Sequence, residues 1–153
     1  MIYGDPFCLS LQFDVVDEWS TPNDIWKNGL FSLCIDGRVI FNVVDVFELT
    51  TIFSFYSKAP VEILNVNDTS IDARILYSNA TDYFLGDSEE LIDGLFDMTC
   101  TPMGDNGFYL YFLKTSIGDK LIWSTNYGDE INETMLPAGT VLSVINQLRQ
   151  TSL

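Results

Sequence analysis

The stretch from Phe7 to Val16 constrains the fold of this chain more than any other. Phe7, Leu9, Leu11, Phe13 and Val15 alternate with Cys8, Ser10, Gln12 and Asp14. Successive side chains of an extended chain point to opposite faces, so this run reads as a half-buried strand over 7–16 and not as a helix. Phe31, Leu33 and Ile35 repeat the alternation and give a strand over 30–36. Asp36-Gly37 follows it. A two-residue type I′ turn needs positive φ at both positions, which this pair tolerates, so a return strand is expected over 39–44.

Further along, the period changes. Asp45-Val46-Phe47-Glu48 has capping-box spacing, and Val46, Leu49, Phe53 and Tyr56 recur as on a helix, predicted over 46–57 and ended by Ala59-Pro60. Ser70 stands as a cap before Ile71, Ile75, Leu76, Ala80, Tyr83 and Phe84, with Gly86 as a stop, which predicts a helix over 70–85. Residues 95–101, 107–114 and 120–125 read as strands, the middle one strongly aromatic. Val141, Val144, Ile145 and Leu148 mark a last helix over 137–150, with Pro137 in its first turn. No repeat or linker interrupts the chain, and 153 residues fit one domain spanning 1–153. The expected class is α+β, an antiparallel sheet with helices between and after its hairpins.

Charge narrows the chemistry. There are 22 Asp and Glu, seven Lys and Arg and no His, a net charge of −15. At 47% hydrophobic residues the chain is too apolar for a disordered acidic tail. Seven scattered bases cannot supply the phosphate contacts of a nucleic-acid binder or the attraction to an anionic membrane. Without His there is no Ser–His or Cys–His nucleophile pair and no imidazole base. Cys8, Cys34 and Cys100 are odd in number and widely spaced, which fits buried thiols in a reducing cytoplasm and not a metal knuckle or a disulfide framework. Met1 to Pro6 lacks the features of a signal peptide, and the longest uncharged stretch, Thr134 to Leu148, is broken by Pro137 and Gly139. The sequons at Asn67, Asn79 and Asn132 are read as chance.

Carboxylates are the abundant reactive groups. Asp14, Asp17, Glu18 and Asp24 are close in sequence, and a carboxylate- or metal-dependent small hydrolase is the competing reading they allow. Asn65 to Thr69 fails as a calcium loop, because Ser70 stands where Gly is needed and Leu76 where Glu is. No catalytic residue, metal ligand or cofactor is assigned. A small structural subunit, seen as a stable homo-oligomer, is a third reading. The feature that stands out is charge placement. Between Arg74 and Lys114 there is no base but seven acids, and Asp129, Glu130 and Glu133 form a second group. Asp87, Glu89, Glu90, Asp93, Asp129, Glu130 and Glu133 are therefore the candidate contact residues for a basic protein partner.

Two blocks of sequence carry a family resemblance. The first is Ile2-x-Gly4-Asp5-Pro6-Phe7, Phe13-Asp14-Val15-Val16, Trp19, Trp26-x-Asn28-Gly29-Leu30-Phe31 and Ile35-Asp36-Gly37. The second is Lys120-Leu121-Ile122-Trp123-Ser124, Glu133, Leu136-Pro137-x-Gly139-Thr140-Val141 and Val144-Ile145. In order and spacing they resemble the immunity protein 42 family. Asp119-Lys120-Leu121-Ile122 departs from the basic residue and Arg-Leu-Ile expected there. The resemblance implies a cytoplasmic antidote of a polymorphic toxin or contact-dependent growth inhibition system. It would bind a cognate toxin domain, often a basic nuclease, and block it without catalysis.

Overall fold

The computed structural model describes residues 1–23 and 25–153. In chain order the strands are β1 Ile2–Asp5, β2 Leu9–Val15, β3 Asn28–Ile35, β4 Arg38–Phe41, β5 Phe47–Glu48, β6 Leu95–Asp97, β7 Tyr109–Lys114, β8 Asp119–Ser124 and β9 Asn132–Leu136. The helices are α1 Leu49–Ser57, α2 Ala73–Phe84, α3 Thr101–Asp105 and α4 Thr140–Arg149. The class is α+β, as expected, and among the described residues the strands divide between two antiparallel sheets. Contacts sort the chain into two compact units, Met1–Ala59 with Thr140–Leu153, and Pro60–Gly139.

The first unit carries the order β1-β2-β3-β4, with β5 also pairing with β3. The alternation of β2 and β3 does what the sequence predicts: Leu9, Leu11, Phe13, Phe31, Leu33 and Ile35 are all at most 1% exposed. Asp36 and Gly37 adopt φ of 52° and 74°, the type I′ turn. The strand expected over 7–16 begins at Leu9. Phe7 lies in the turn that brings the chain back from β1, where its N–H donates to Asp5 Oδ1 (2.9 Å), and it is 81% exposed. β1 itself was masked by turn-forming Gly4-Asp5-Pro6. Gly4 has φ +93°, and a Cβ there would stand 2.2 Å from Leu9 O, so only glycine lets β1 lie this close to β2.

β4 stops at Phe41, short of the expected 44, after the β3–β4 register shifts at Leu33/Cys34. Phe47 and Glu48 then pair with Gly29 and Asn28, so the helix expected from 46 starts at Leu49. Its cap is the Glu48 carboxylate, accepting from Thr50 N (3.0 Å) and Thr51 N (2.7 Å), and not Asp45. α4 packs on α1, β1 and β2, burying Val141, Val144, Ile145 and Leu148. It begins at Thr140, with Pro137 ahead of it and not within it. Phe31 joins Phe13 (centroids 5.2 Å apart) to Tyr56 (6.0 Å), tying sheet to helix. Each such side chain contributes roughly 1.5–3 kcal/mol on burial.

The second unit has the order β6-β7-β8-β9. α2 lies on one face of this sheet, where Leu76, Tyr77 and Ala80 cluster with Leu95, Tyr111, Leu113 and Ile122. The opposite side chains of β7 and β8, Leu110, Phe112, Leu121 and Trp123, are buried as well. α2 starts later than the predicted 70, because Asp72 accepts from Arg74 N (2.9 Å) and caps it in place of Ser70. Ile71 and Ile75 are thereby left 45% and 55% exposed. Gly86, at φ +86°, follows the end of the helix as expected. The strand expected over 95–101 ends at Asp97, and Thr101–Asp105 turns into α3 with Pro102 in its first turn. The strands expected over 107–114 and 120–125 run from Tyr109 and from Asp119 to Ser124. β9 was not predicted, since Asn132-Glu133-Thr134 has little apolar alternation and sits at the sheet edge.

Candidate functional site

Residues 60–139 hold 14 acids against three bases, a net of −11, and the other unit has eight against four, a net of −4. The excess noted in the sequence thus belongs mainly to the second unit. The candidate acids, all exposed, do not form one surface feature there. Asp87, Glu89 and Glu90 lie on the segment between α2 and β6, whose start is tied down by Asp87 N and Ser88 N donating to Asp82 O (2.8 and 3.2 Å). The Asp93 carboxylate accepts from Asn65 Nδ2 (3.2 Å), and its carbonyl accepts from Asn67 Nδ2 (2.8 Å), so this residue organises a loop. Glu133 on β9 is paired with Lys120 Nζ on β8 (3.0 Å).

Asp129 and Glu130 are different. With Asp82 and Arg74 of α2 they rim a groove of about 570 Å³, which also includes Tyr77, Ser78, Thr81, Tyr127, Gly128 and Ile131. A network within the loop after β8 holds its shape. Buried Ser124 accepts at Oγ from Gly128 N (2.9 Å) and donates to Asn126 Oδ1 (2.9 Å), and Asn126 Oδ1 accepts from Glu130 N (3.0 Å). Tyr127 takes φ +58°, donates its N–H to Gly107 O (2.9 Å) and lays its ring over Gly107, while remaining 72% exposed. Few non-glycine residues adopt this backbone region.

Below the rim lies an aromatic floor. Tyr77, 6% exposed, meets Tyr111 edge to face at 5.5 Å, and Tyr111 Oη shares a hydrogen bond with Thr81 Oγ1 (2.9 Å). Tyr77 Oη is buried with no hydrogen-bond partner among the described residues. Ser124 Oγ donates to Asn126 Oδ1 and accepts from Gly128 N and Asn126 N, and Thr81 Oγ1 shares its hydrogen bond with Tyr111 Oη. A buried, unpaired hydroxyl costs about 1–3 kcal/mol. Burial raises the Tyr77 and Tyr111 hydroxyls above the ordinary phenol pKa, so both stay protonated at neutral pH.

The sequence reading missed Asp82, Tyr77 and Tyr127 as members of one site. The Asn126-Tyr127-Gly128-Asp129 turn signature marks the loop, but nothing local connects it to α2, some 45 residues earlier. Among the described residues, the carboxylates weighed for hydrolysis do not converge. Asp14 accepts from Gln12 Nε2 (2.7 Å) and faces the Met1 amino group (3.5 Å), Asp17 and Glu18 share an exposed turn, and Asp24 lies outside the described residues. Among the described residues no three His, Cys, Asp or Glu side chains come together in a group that would hold a metal. Nor is any described helix long and apolar enough to cross a membrane.

A model of the family described as immunity protein 42 matches residues 1–151, which span both units. The structure is similar to the crystal structure of CdiI from Burkholderia dolosa AUO158, with a TM-score of 0.79 and 22% sequence identity, covering 99% of this chain and 100% of that one. Among curated proteins no match is found.

Proposed function

The chain belongs to the immunity protein 42 family, and from that premise we propose that it binds and neutralises the cognate toxin domain of a contact-dependent growth inhibition or related polymorphic toxin system. It acts in the cytoplasm and without catalysis, by covering the toxin with an acidic surface. The observation that carries the choice of surface is the net −11 of residues 60–139. Such a field attracts a basic partner and speeds its association. A nuclease fits this description, because its cleft must be basic to hold phosphates. Asp87, Glu89, Glu90, Asp93, Asp129, Glu130 and Glu133 are the contact candidates.

The test is protection of cells. The chain is co-expressed with the toxin domain that ends the secreted-protein reading frame beside its own. Wild type is expected to restore growth. Two charge-reversed variants, Glu89→Lys/Glu90→Lys/Asp93→Lys and Asp129→Lys/Glu130→Lys/Glu133→Lys, are expected to protect less well. If wild type fails to protect, the neutralising role is wrong. If both variants protect fully, the acidic surface is not where the toxin sits.

A further inference from the structure

We propose that the groove between α2 and the loop after β8 receives an arginine side chain of the toxin domain, held by Asp82, Asp129 and Glu130 and laid against the ring of Tyr127. The inference rests on the toxin-binding function above and adds the chemistry of the contact. Three carboxylates against Arg74 leave the concavity net negative, and a concave wall of one sign focuses the field on a cation. Charge alone does not single out this groove, since other acids are exposed as well. Tyr77 supplies the independent reason. Its ring floors the groove, and its hydroxyl is buried there without a hydrogen-bond partner among the described residues. Gly128 lies against its ring: a Cβ built there would stand 3.2 Å from Tyr77 Cε1 and 3.9 Å from Oη.

A guanidinium satisfies what the groove lacks. It brings five N–H donors and no acceptor, matching carboxylates and a phenol oxygen with free lone pairs. Its planar face stacks on an aromatic ring, and Tyr127 offers one that is 72% exposed and already fixed over Gly107. Lysine supplies a point charge without the plane or the fork, so arginine fits better. The remaining acidic candidates offer no equivalent: Glu133 is occupied by Lys120 and Asp93 by Asn65.

Tyr77→Phe gives the sharpest test, because its effects on the free protein and on the complex have opposite signs. Removing an unpartnered hydroxyl is expected to leave the melting temperature unchanged or raise it. Affinity for the toxin domain, measured by biolayer interferometry on the full chain, is expected to fall about 10-fold or more, as when a hydrogen bond to a charged group is lost. Tyr127→Ala and Asp129→Asn/Glu130→Gln are expected to weaken binding at least as much, whereas Asp17→Asn/Glu18→Gln, on an exposed turn of the other unit, changes the dissociation rate less than 3-fold, as for charges outside the contact. In ¹⁵N spectra of the full chain, N-acetyl-arginine amide should shift the amides of Tyr77 and of Tyr127 to Glu130, and its neutral citrulline counterpart should not. Wild-type binding with Tyr77→Phe and Asp129→Asn/Glu130→Gln equally tight overturns the groove and leaves the toxin-binding function intact. Equal shifts with arginine and citrulline also overturn the groove. No complex with the wild-type chain overturns the function itself.

Discussion

Asp97 shows how much one carboxylate differs from another in this acidic chain. It lies half-buried on β6, opposite Tyr111 on β7, and accepts from Thr99 N (2.9 Å). Burial pushes its carboxyl above the usual range, and the bond from Thr99 only partly offsets this. In the unfolded chain the group titrates normally, so the folded state holds the proton to higher pH. Its penalty is absent in acid, grows as pH rises from the unfolded pKa, and is complete above the folded one. Asp97→Asn keeps an acceptor for Thr99 N and removes the charge. It is expected to raise the melting temperature by a few degrees at pH 7.5, with the gain shrinking toward pH 4; a variant no more stable than wild type at pH 7.5 contradicts this account. Glu48 runs the other way. Burial raises its carboxyl, but the bonds from Thr51 and Thr50 outweigh it and hold the group below its ordinary value, as a helix cap requires. Neither environment is visible in sequence, where Asp97 and Glu48 are two acids among 22.

At the scale of elements, what was legible depended on how local the cause is. The buried faces of β2, β3 and α4 follow from side-chain period alone, and the Asp36-Gly37 turn from backbone tolerance. The start of α1 did not follow, because Phe47 and Glu48 have helical spacing yet are taken by β3 into its ladder. Tertiary pairing overrode local preference there. α4 illustrates a further dependence. It is separated from the rest of its unit by residues 60–139, yet Arg149 donates from Nε to Ser57 O (2.9 Å) and from Nη2 to Ala59 O (2.9 Å), satisfying one carbonyl in the last turn of α1 and one just past it. Arg149→Met keeps an apolar stem and loses these donors. It is expected to lower stability by about 1–2 kcal/mol in urea melts with an unchanged slope; a midpoint equal to that of wild type means the bonds hold nothing together.

For the molecule as a whole, the net charge of −15 has two consequences of opposite sign in salt. Like charges repel within the folded chain, so adding NaCl from 20 to about 200 mM shortens the Debye length to under 10 Å and is expected to raise the melting temperature of the free protein. The same screening is expected to slow association with a basic toxin domain by about 10-fold or more, as read in stopped-flow mixing. An association rate indifferent to salt removes steering from the account. The sequence by itself determined the sign and size of this charge, the absence of imidazole chemistry, the alternating strands and the last helix, because each depends on residue type or on neighbours a few positions apart. Only the tertiary structure decided that 14 of the 22 acids share one unit, that Glu133 is paired with Lys120, and that Asp82 lines one groove with Asp129, Glu130 and Tyr77. Those meetings join residues some 45 positions apart, and what brings them together is the packing of α2 on its sheet, which no local pattern encodes.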